Sequence, residues 1–282
     1  WSIMDSNMKI LQENLTKYLR NKTFLTGFCM FSFIILFMLV GTIWLPYDPN
    51  LTNAAAKLQP PSFHHLLGTD SLGRDVLSRI IFGLRISIII GFIVMIFGLF
   101  TGLILGSICG WFGGIADTII MKLVSTQMAF PGILLALMLV AVFEPDIKIT
   151  ILVLCIMSIP RFTRITRSGY IKFKNSLFVQ SAKARGAGNF RIMYIHILPN
   201  ILSDLLITAT LSFSMAILNE SGLSYLGLGV RPPYPSFGRM LNDAQHYIFT
   251  NPTGIIFPLI FLIILVFGVN LIGDGISEVN GK

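Results

Sequence analysis

Long, mostly apolar runs alternate along the chain with polar segments. The runs predict helical spans at about 24–45, 86–109, 119–143, 147–166, 200–219 and 254–273. A helix needs about 20 residues to cross the hydrocarbon core of a membrane, and each run reaches that length. The run at 147–166 does so only if Arg161 and Arg164 are included, with their charges snorkelling or facing protein. The pattern predicts an all-α membrane protein with six transmembrane helices.

The polar segments divide the chain into three parts. Residues 1–23 form an N-terminal segment with apolar side chains at helical spacing from Met8 to Leu19, so we expect a short amphipathic helix on the inner membrane surface. Residues 24–275 form the six-span domain, in which the most basic loop is 167–199. Residues 276–282 form a short tail.

Two prolines mark expected changes of direction. Pro131 interrupts the third span within Phe130–Pro131–Gly132. Because proline lacks an N–H and its ring clashes with an earlier carbonyl, we expect a kink or a flexing point there. Pro199 follows the 167–199 loop directly, and we expect it to end the loop helix and to begin the fifth span as a rigid joint.

Glycine recurs every four residues in the second span. The repeat consists of Gly98, Gly102, Gly106 and Gly110. In a helix this spacing makes a smooth stripe along which another helix can approach closely. We therefore predict a helix-packing role, either within the chain or with a partner subunit.

Composition and charge indicate which side of the membrane each segment occupies. Hydrophobic residues make up 54% of the chain and charged residues 12%, whereas soluble domains have about 25% charged residues. The net charge of +8 is concentrated beside apolar runs, with eight Lys and Arg residues between Arg161 and Asn200. This is the positive-inside pattern rather than a nucleic-acid-binding face. It places both termini and the 167–199 loop in the cytoplasm.

Four alternating charges precede the second span on the external side: Asp70, Arg74, Asp75 and Arg79. They predict an ion-pair network that braces the beginning of the span, or part of a docking surface for another protein. We favour the brace.

Candidate chemistry is sparse. The chain has neither the G-x-x-x-x-G-K-[ST] loop that binds ATP phosphates nor an H-E-x-x-H zinc motif, and its three cysteines lie in different apolar runs. Ser224 is a weak candidate for an intramembrane nucleophile because all four histidines lie outside the spans. We therefore expect no catalytic residue and no metal site.

Ionisable groups are also rare inside the spans. Only Asp204 qualifies, and it lies near the inner boundary. Proton- or sodium-coupled carriers usually hold acids or bases at mid-membrane. A transporter with this sequence would need energy from outside the chain.

The 167–199 loop carries the most specific pattern. Its residues from Leu177 to Met193 are compatible with a helix, and Ala182, Arg185, Gly186 and Asn189 predict a mostly small face that a second protein could approach. The order FVQSAKARGAGNFRIMYIHILPN resembles the E-A-A-x-x-x-G-x9-I-x-L-P signature of bacterial ABC-importer permeases. Gln180, Ser181 and Ala182 stand at E-A-A, Gly186 is the glycine, His196 replaces the isoleucine, and Leu198–Pro199 close the motif.

Further stretches resemble one branch of that family, the second ("C"-type) permeases for dipeptides, oligopeptides and nickel. They are LGTDSLGRDVLSRIIFGLRISI at 67–88, GWFGGIADTIIMKLVSTQMAFPGILLAL at 110–137, the external ESGLSYLGLGVRPPYPSFGRML and the tail LIGDGI. The resemblance covers about residues 23–275, and it implies a type I ABC-importer permease fold in the bacterial cytoplasmic membrane.

The resemblance also implies partners and a mechanism. A second similar permease, two ATPase subunits and an extracytoplasmic substrate-binding protein would complete the importer, and ATP and Mg²⁺ would bind only to the ATPases. The segment that contacts the ATPase would contain Gln180, Ser181, Ala182, Lys183, Ala184, Arg185, Gly186, Ala187, Leu198 and Pro199. This chain itself would be a non-catalytic subunit without a cofactor.

The cargo and one alternative stay open. Di- or oligopeptides, nickel and metal-chelator complexes (metallophores) are all compatible with this branch, although the absence of His or Cys clusters disfavours a bare ion. The alternative is a self-contained channel or secondary carrier. A membrane hydrolase is a distant third.

Overall fold

The computed structural model describes residues 16–143 and 146–281, and the elements within them are helices joined by turns. The all-α class is therefore confirmed. Most of the amphipathic helix predicted near the N-terminus lies outside the described residues, as do Glu144 and Pro145 of the predicted external turn.

The main helices are α1 (Lys22–Ile43), α2 (Val76–Phe112), α3 (Gly114–Ala129), α4 (Gly132–Phe143), α5 (Ile147–Phe173), α6 (Leu177–Ala184), α7 (Asn189–Tyr225), α8 (Phe237–Ala244) and α9 (Thr253–Val279). Five of them, α1, α2, α5, α7 and α9, are long and apolar enough to cross a membrane. The pair α3 and α4 passes the same test together, which makes five or six candidate spans in the described residues.

The predicted third span differs most from the structure. It is not one kinked helix, because α3 and the first part of α4 meet at an angle of 89°. Phe130 has extended backbone angles, φ −86° and ψ 133°, as expected for a residue that precedes proline. The helix therefore ends before Pro131 instead of bending through it.

Several helices extend beyond the predicted spans, among them α2 and α5. Helix α2 begins at Val76 because the carboxylate of Asp75 accepts a hydrogen bond from the backbone N–H of Ser78 and caps the first turn. Helix α5 continues to Phe173, beyond the predicted end of the span at 166. The basic residues in the last turns of α5 are as compatible with a water-exposed helix as with a loop.

Helix α5 also passes through Pro160 without ending. A proline in a helix leaves the carbonyl four residues earlier without its partner, which is Ile156 here. The side-chain amide of Gln127, on α3, donates a hydrogen bond to that carbonyl at 2.6 Å. The last turn of α3 is thereby attached to α5 at the proline.

Buried apolar side chains form an outer and an inner cluster. The outer cluster joins α1, α2, α7, α8 and α9 around residues such as Ile80, Phe213 and Phe237. The inner one packs α6 and the beginning of α7 against the ends of α2 and α5, around Trp111 and Tyr170. Helices α2, α4, α5 and α7 share a further cluster of buried apolar side chains, which includes Val94, Leu154 and Ala216.

The glycine stripe of α2 faces α5. A Cβ atom added at Gly106 would lie 2.5 Å from Cβ of Thr166 and 2.6 Å from the carbonyl oxygen of Thr163, and one added at Gly110 would lie 2.5 Å from Cβ of Tyr170. Gly98 and Gly102 meet Ser158 and Phe162 on the same helix in the same way. The close approach is made within this chain.

Candidate functional site

Helix α6 lies in the 167–199 segment and is largely exposed. It buries only Val179 and Ala182, which pack into the inner cluster. Its other face is exposed, including Leu177 with 81% of its surface accessible. The predicted small face is therefore wrong at Ala182, because that side chain points into the chain. The accessible face is formed by Leu177, Gln180, Ser181 and Ala184.

Gly186 ends helix α6. Its φ of +80° lies in the left-handed region that favours glycine. The N–H of Ala187 donates to the carbonyl of Ala182 at 3.0 Å, and the N–H of Gly186 donates to that of Lys183 at 2.9 Å. These two bonds form a Schellman motif, which satisfies carbonyls at the end of the helix. The glycine of the signature is thus a helix C-cap.

The space around Gly186 is open. A Cβ atom added there would meet nothing within 4 Å. A concave site beside it is lined by Phe178, Ser181, Arg185, Arg191 and His196, among others. Nothing in the described chain fills this site, so it is accessible to another protein.

Helix α6 is attached to the end of α2 through Trp111. The Nζ atom of Lys183 lies 4.9 Å from the centroid of the Trp111 ring and that of Lys174 lies 5.9 Å from it, within the range of cation–π contacts. The Tyr170 hydroxyl donates to the carbonyl of Met193 at 3.1 Å and joins α5 to α7. Trp111 was not among the predicted site residues, since only its position after the glycine stripe sets it apart in the sequence.

The predicted joint at Pro199 is wrong. Helix α7 runs from Asn189 to Tyr225 without a break, and the change of direction lies instead between α6 and α7, at Gly186–Gly188. Residues Ile192–Ile197 form a π-helix, in which the N–H of Leu198 donates to the carbonyl of Met193. This wider turn accommodates the ring of Pro199, which would otherwise clash with the carbonyl four residues before it.

Three of the four charges predicted as a brace, Asp70, Arg74 and Arg79, form a continuous network with helix α8. Arg74 Nε lies 2.6 Å from Asp70 and its Nη2 lies 3.2 Å from Asp243, which also pairs with Arg239 at 2.9 Å. Arg79 is buried, lies 3.6 Å from Asp70 and donates to the carbonyl of Pro49. Asp75 caps α2 and lies 2.9 Å from Nδ1 of His65. Arg239 and Asp243 were not singled out by the sequence, because they lie 169 and 173 residues after Asp70.

Metal and nucleophile chemistry find no support in the described part of the chain. No group of three or more His, Cys, Asp or Glu side chains there could hold a metal ion. Ser224 is buried, and its hydroxyl donates to Glu220 Oε1 at 2.6 Å while it accepts from the N–H of Val230. These two hydrogen bonds close the end of α7.

Known proteins resemble nearly the whole chain. Residues 102–281 match the family model of the binding-protein-dependent transport system inner membrane component, and residues 10–61 match that of the N-terminal TM domain of oligopeptide transport permease C. The dipeptide transport system permease protein DppC of Haemophilus influenzae is 37% identical over 95% of this chain and 93% of its own length.

Two further relatives and a solved structure agree. DppC of Escherichia coli K12 is 39% identical over 96% of this chain and 92% of its own, and the glutathione transport system permease protein GsiD of Pectobacterium atrosepticum is 36% identical over 86% and 83%. An inward-facing crystal form of the MetNI methionine ABC transporter shares the fold, with a TM-score of 0.58 and 19% identity over 72% of this chain and 95% of that one. The chain therefore belongs to the family of binding-protein-dependent inner membrane permeases, as an ABC-importer permease of the peptide family and a multi-pass protein of the bacterial inner membrane.

Proposed function

We propose that this chain is the second-type permease subunit of an ATP-driven importer of small peptides. It forms half of the translocation pathway beside a similar permease and receives cargo from an extracytoplasmic binding protein. Two separate ATPase subunits bind the ATP and Mg²⁺. Relatives named for dipeptides, for di/tripeptides and for glutathione support peptides as the cargo.

Helix α6 is the observation that carries the coupling part of this proposal. It is a rigid helix, closed by Gly186 and braced on Trp111, that exposes apolar side chains on the cytoplasmic side. Leu177 on α6 is 81% exposed and Phe190 in the first turn of α7 is 72% exposed, although both lie outside the spans predicted from the sequence. Exposed apolar side chains near small residues and charges are typical of a protein interface. Helix α7 begins at Asn189, three residues after Gly186. An ATPase that binds α6 would therefore move α7 as well.

The proposed topology has six spans and both termini in the cytoplasm. It counts α3 and α4 together as one broken span. The excess of Lys and Arg on the proposed inner side, fourteen against six on the outer side, supports this orientation.

Nickel and metallophores are the second cargo class, and a self-contained channel or secondary carrier is the alternative mechanism. The described residues hold no metal-binding cluster, which favours peptides or a chelated metal over a bare ion. Binding of labelled dipeptides, Ni²⁺ and a metallophore to the cognate binding protein distinguishes the cargoes.

The Leu177→Asp variant is expected to lose the ATPase. An aspartate at the first residue of α6 favours the helix N-terminus, so the helix itself stays intact. It places a charge where the proposed interface needs an apolar contact. Co-purification of the ATPase subunits with the tagged chain should fall at least about ten-fold, which corresponds to about 1.4 kcal/mol of interface energy.

The matched control is Phe249→Asp, which introduces the same charge at a side chain that is 98% exposed on the opposite side of the molecule. It should leave co-purification unchanged. Full retention of the ATPase by Leu177→Asp would exclude α6 as the coupling element.

A further inference from the structure

Three arginines follow one another along α5, toward the cytoplasm, at intervals of three residues. They are Arg161, Arg164 and Arg167. The guanidinium of Arg167 forms two hydrogen bonds with Asp117 on α3, at 2.6 and 2.7 Å, and Arg164 lies 3.4 Å from the Ser125 hydroxyl. Arg161 is exposed and makes neither a hydrogen bond nor an ion pair with any residue in 16–143 or 146–281.

Arg161 is also the deepest of the three in the membrane. It lies 14 residues after Ile147, the first residue of α5. At about 1.5 Å per residue this is about 21 Å along the helix, within a hydrocarbon core about 30 Å thick. Arg167 lies about 30 Å along the helix by the same measure, at the inner boundary. The positive-inside rule accounts for Arg167 but not for a cation at the depth of Arg161.

Arg161 lines a cavity of about 250 Å³ between α2, α3, α5 and α7, called here the Arg161 cavity. Its polar lining consists of Arg161, Ser158, Ser212 and Asn219, and its apolar lining includes three methionines, Met128, Met157 and Met215. An unpaired guanidinium that faces lipid is unfavourable, so polar groups at this depth mark a water-filled or ligand-filled space. Glu220, next to Asn219, is fully buried and does not line the cavity.

The lining matches the chemistry of a short peptide. A guanidinium offers a planar fork of N–H donors that binds a carboxylate through two parallel hydrogen bonds. Asn219 and the serines offer donors and acceptors to peptide groups. Met128 and Met215 are 51% and 46% exposed, and flexible methionine side chains adapt to ligands of different shape.

We propose that Arg161 binds the C-terminal carboxylate of a peptide as it passes through the Arg161 cavity. This inference rests on the proposed peptide-import function and adds a binding site within the membrane. At the inner end of the arginine series, Asp117 neutralises the charge of Arg167, so Arg167 attracts a carboxylate less than Arg161 does. The peptide carboxylate is therefore bound most strongly at Arg161 and released toward the cytoplasm.

Equilibrium binding to the purified assembly of both permeases and both ATPases, without the binding protein, tests this site. The probes are a labelled dipeptide and its C-terminal amide. Wild type should bind the free dipeptide at least ten-fold more tightly than the amide. The Arg161→Gln variant should bind both with the affinity that wild type has for the amide, and Arg161→Lys should be intermediate.

The control is Lys148→Gln, which removes one positive charge from the exposed outer end of the same helix and should bind like wild type. Uptake of the free dipeptide into proteoliposomes should fall at least ten-fold in Arg161→Gln, while ATP hydrolysis stimulated by the loaded binding protein stays within two-fold of wild type. Absence of binding to the wild-type assembly, or equal affinities of wild type and Arg161→Gln for the free dipeptide, would overturn the proposal. The proposed function itself fails separately, if the wild-type importer takes up no dipeptide.

Discussion

Replacing Gly186 by valine is expected to abolish peptide uptake while the protein still accumulates in the membrane. Gly186 holds a φ of +80° at the end of α6. The left-handed region costs an L-residue about 1–2 kcal/mol, and a β-branched side chain is among the least tolerant. Valine therefore opens the Schellman motif and shifts the end of the coupling helix. Uptake of a labelled dipeptide should fall at least about ten-fold, since each 1.4 kcal/mol is a factor of ten.

Gly188 provides the matched control two residues later. It is also exposed, and an added Cβ would meet nothing within 4 Å, but its φ is −71°. The Gly188→Ala variant should transport at close to the wild-type rate. Asparagine tolerates the left-handed region, so Gly186→Asn should retain more uptake than Gly186→Val if the backbone conformation is what matters. Normal uptake by Gly186→Val would show that the helix end has no role in coupling.

Gly106→Ala is expected to destabilise the folded chain, whereas Gly222→Ala is expected to stabilise it slightly. The new methyl group at position 106 would overlap Thr166 and the backbone of Thr163, so α2 and α5 must separate. Overpacking of this kind costs about 1–3 kcal/mol. At Gly222, in α7, a methyl group meets nothing within 4 Å, and alanine improves helix propensity by up to about 1 kcal/mol.

Thermal unfolding of the two variants in the same detergent measures this contrast. Gly106→Ala should unfold at a lower temperature than wild type, and Gly222→Ala at the same or a higher temperature. If both variants shifted the midpoint in the same direction by the same amount, the close approach of α2 and α5 would not be a determinant of stability.

The sequence predicted the helices that have a clear apolar length and missed features that depend on contacts between helices. The five long spans were each located, since uninterrupted apolar runs carry that information. The break at Pro131 was predicted as a bend because the sequence shows only the missing N–H, not the angle that the neighbouring helices impose. The continuation of α5 through Pro160 depends on Gln127, which lies 29 residues away from Ile156.

The segment between α5 and α7 was predicted to begin a helix at Leu177, as α6 does, but the exposed face of that helix was predicted less well. The spacing from Gly186 to Leu198–Pro199 located the element, but Ala182 was assigned to the exposed face although it packs beside Val179 in the inner cluster. The joint was assigned to Pro199 because proline often ends a helix. The π-helix at Ile192–Ile197, which lets α7 continue, has no local sequence signature.

The surroundings of Arg161 could not be predicted from the sequence. The sequence shows an arginine near the end of an apolar run, with its charge either snorkelling toward the boundary or facing protein. Arg164 contacts Ser125 and Arg167 pairs with Asp117, whereas Arg161 lies beside a cavity and has no hydrogen-bond or ion-pair partner in residues 16–143 and 146–281. Such a distinction requires the packing of four helices.

The most direct test of ATP-driven peptide import uses proteoliposomes that contain this chain, its partner permease and the two ATPases. The binding protein is added outside, and accumulation of a labelled dipeptide inside is measured. We expect accumulation above the external concentration with ATP inside, and none with a non-hydrolysable ATP analogue or with this chain alone. Dipeptide accumulation by this chain alone, without ATP, would contradict its role as one subunit of an ATP-driven importer and support a self-contained carrier.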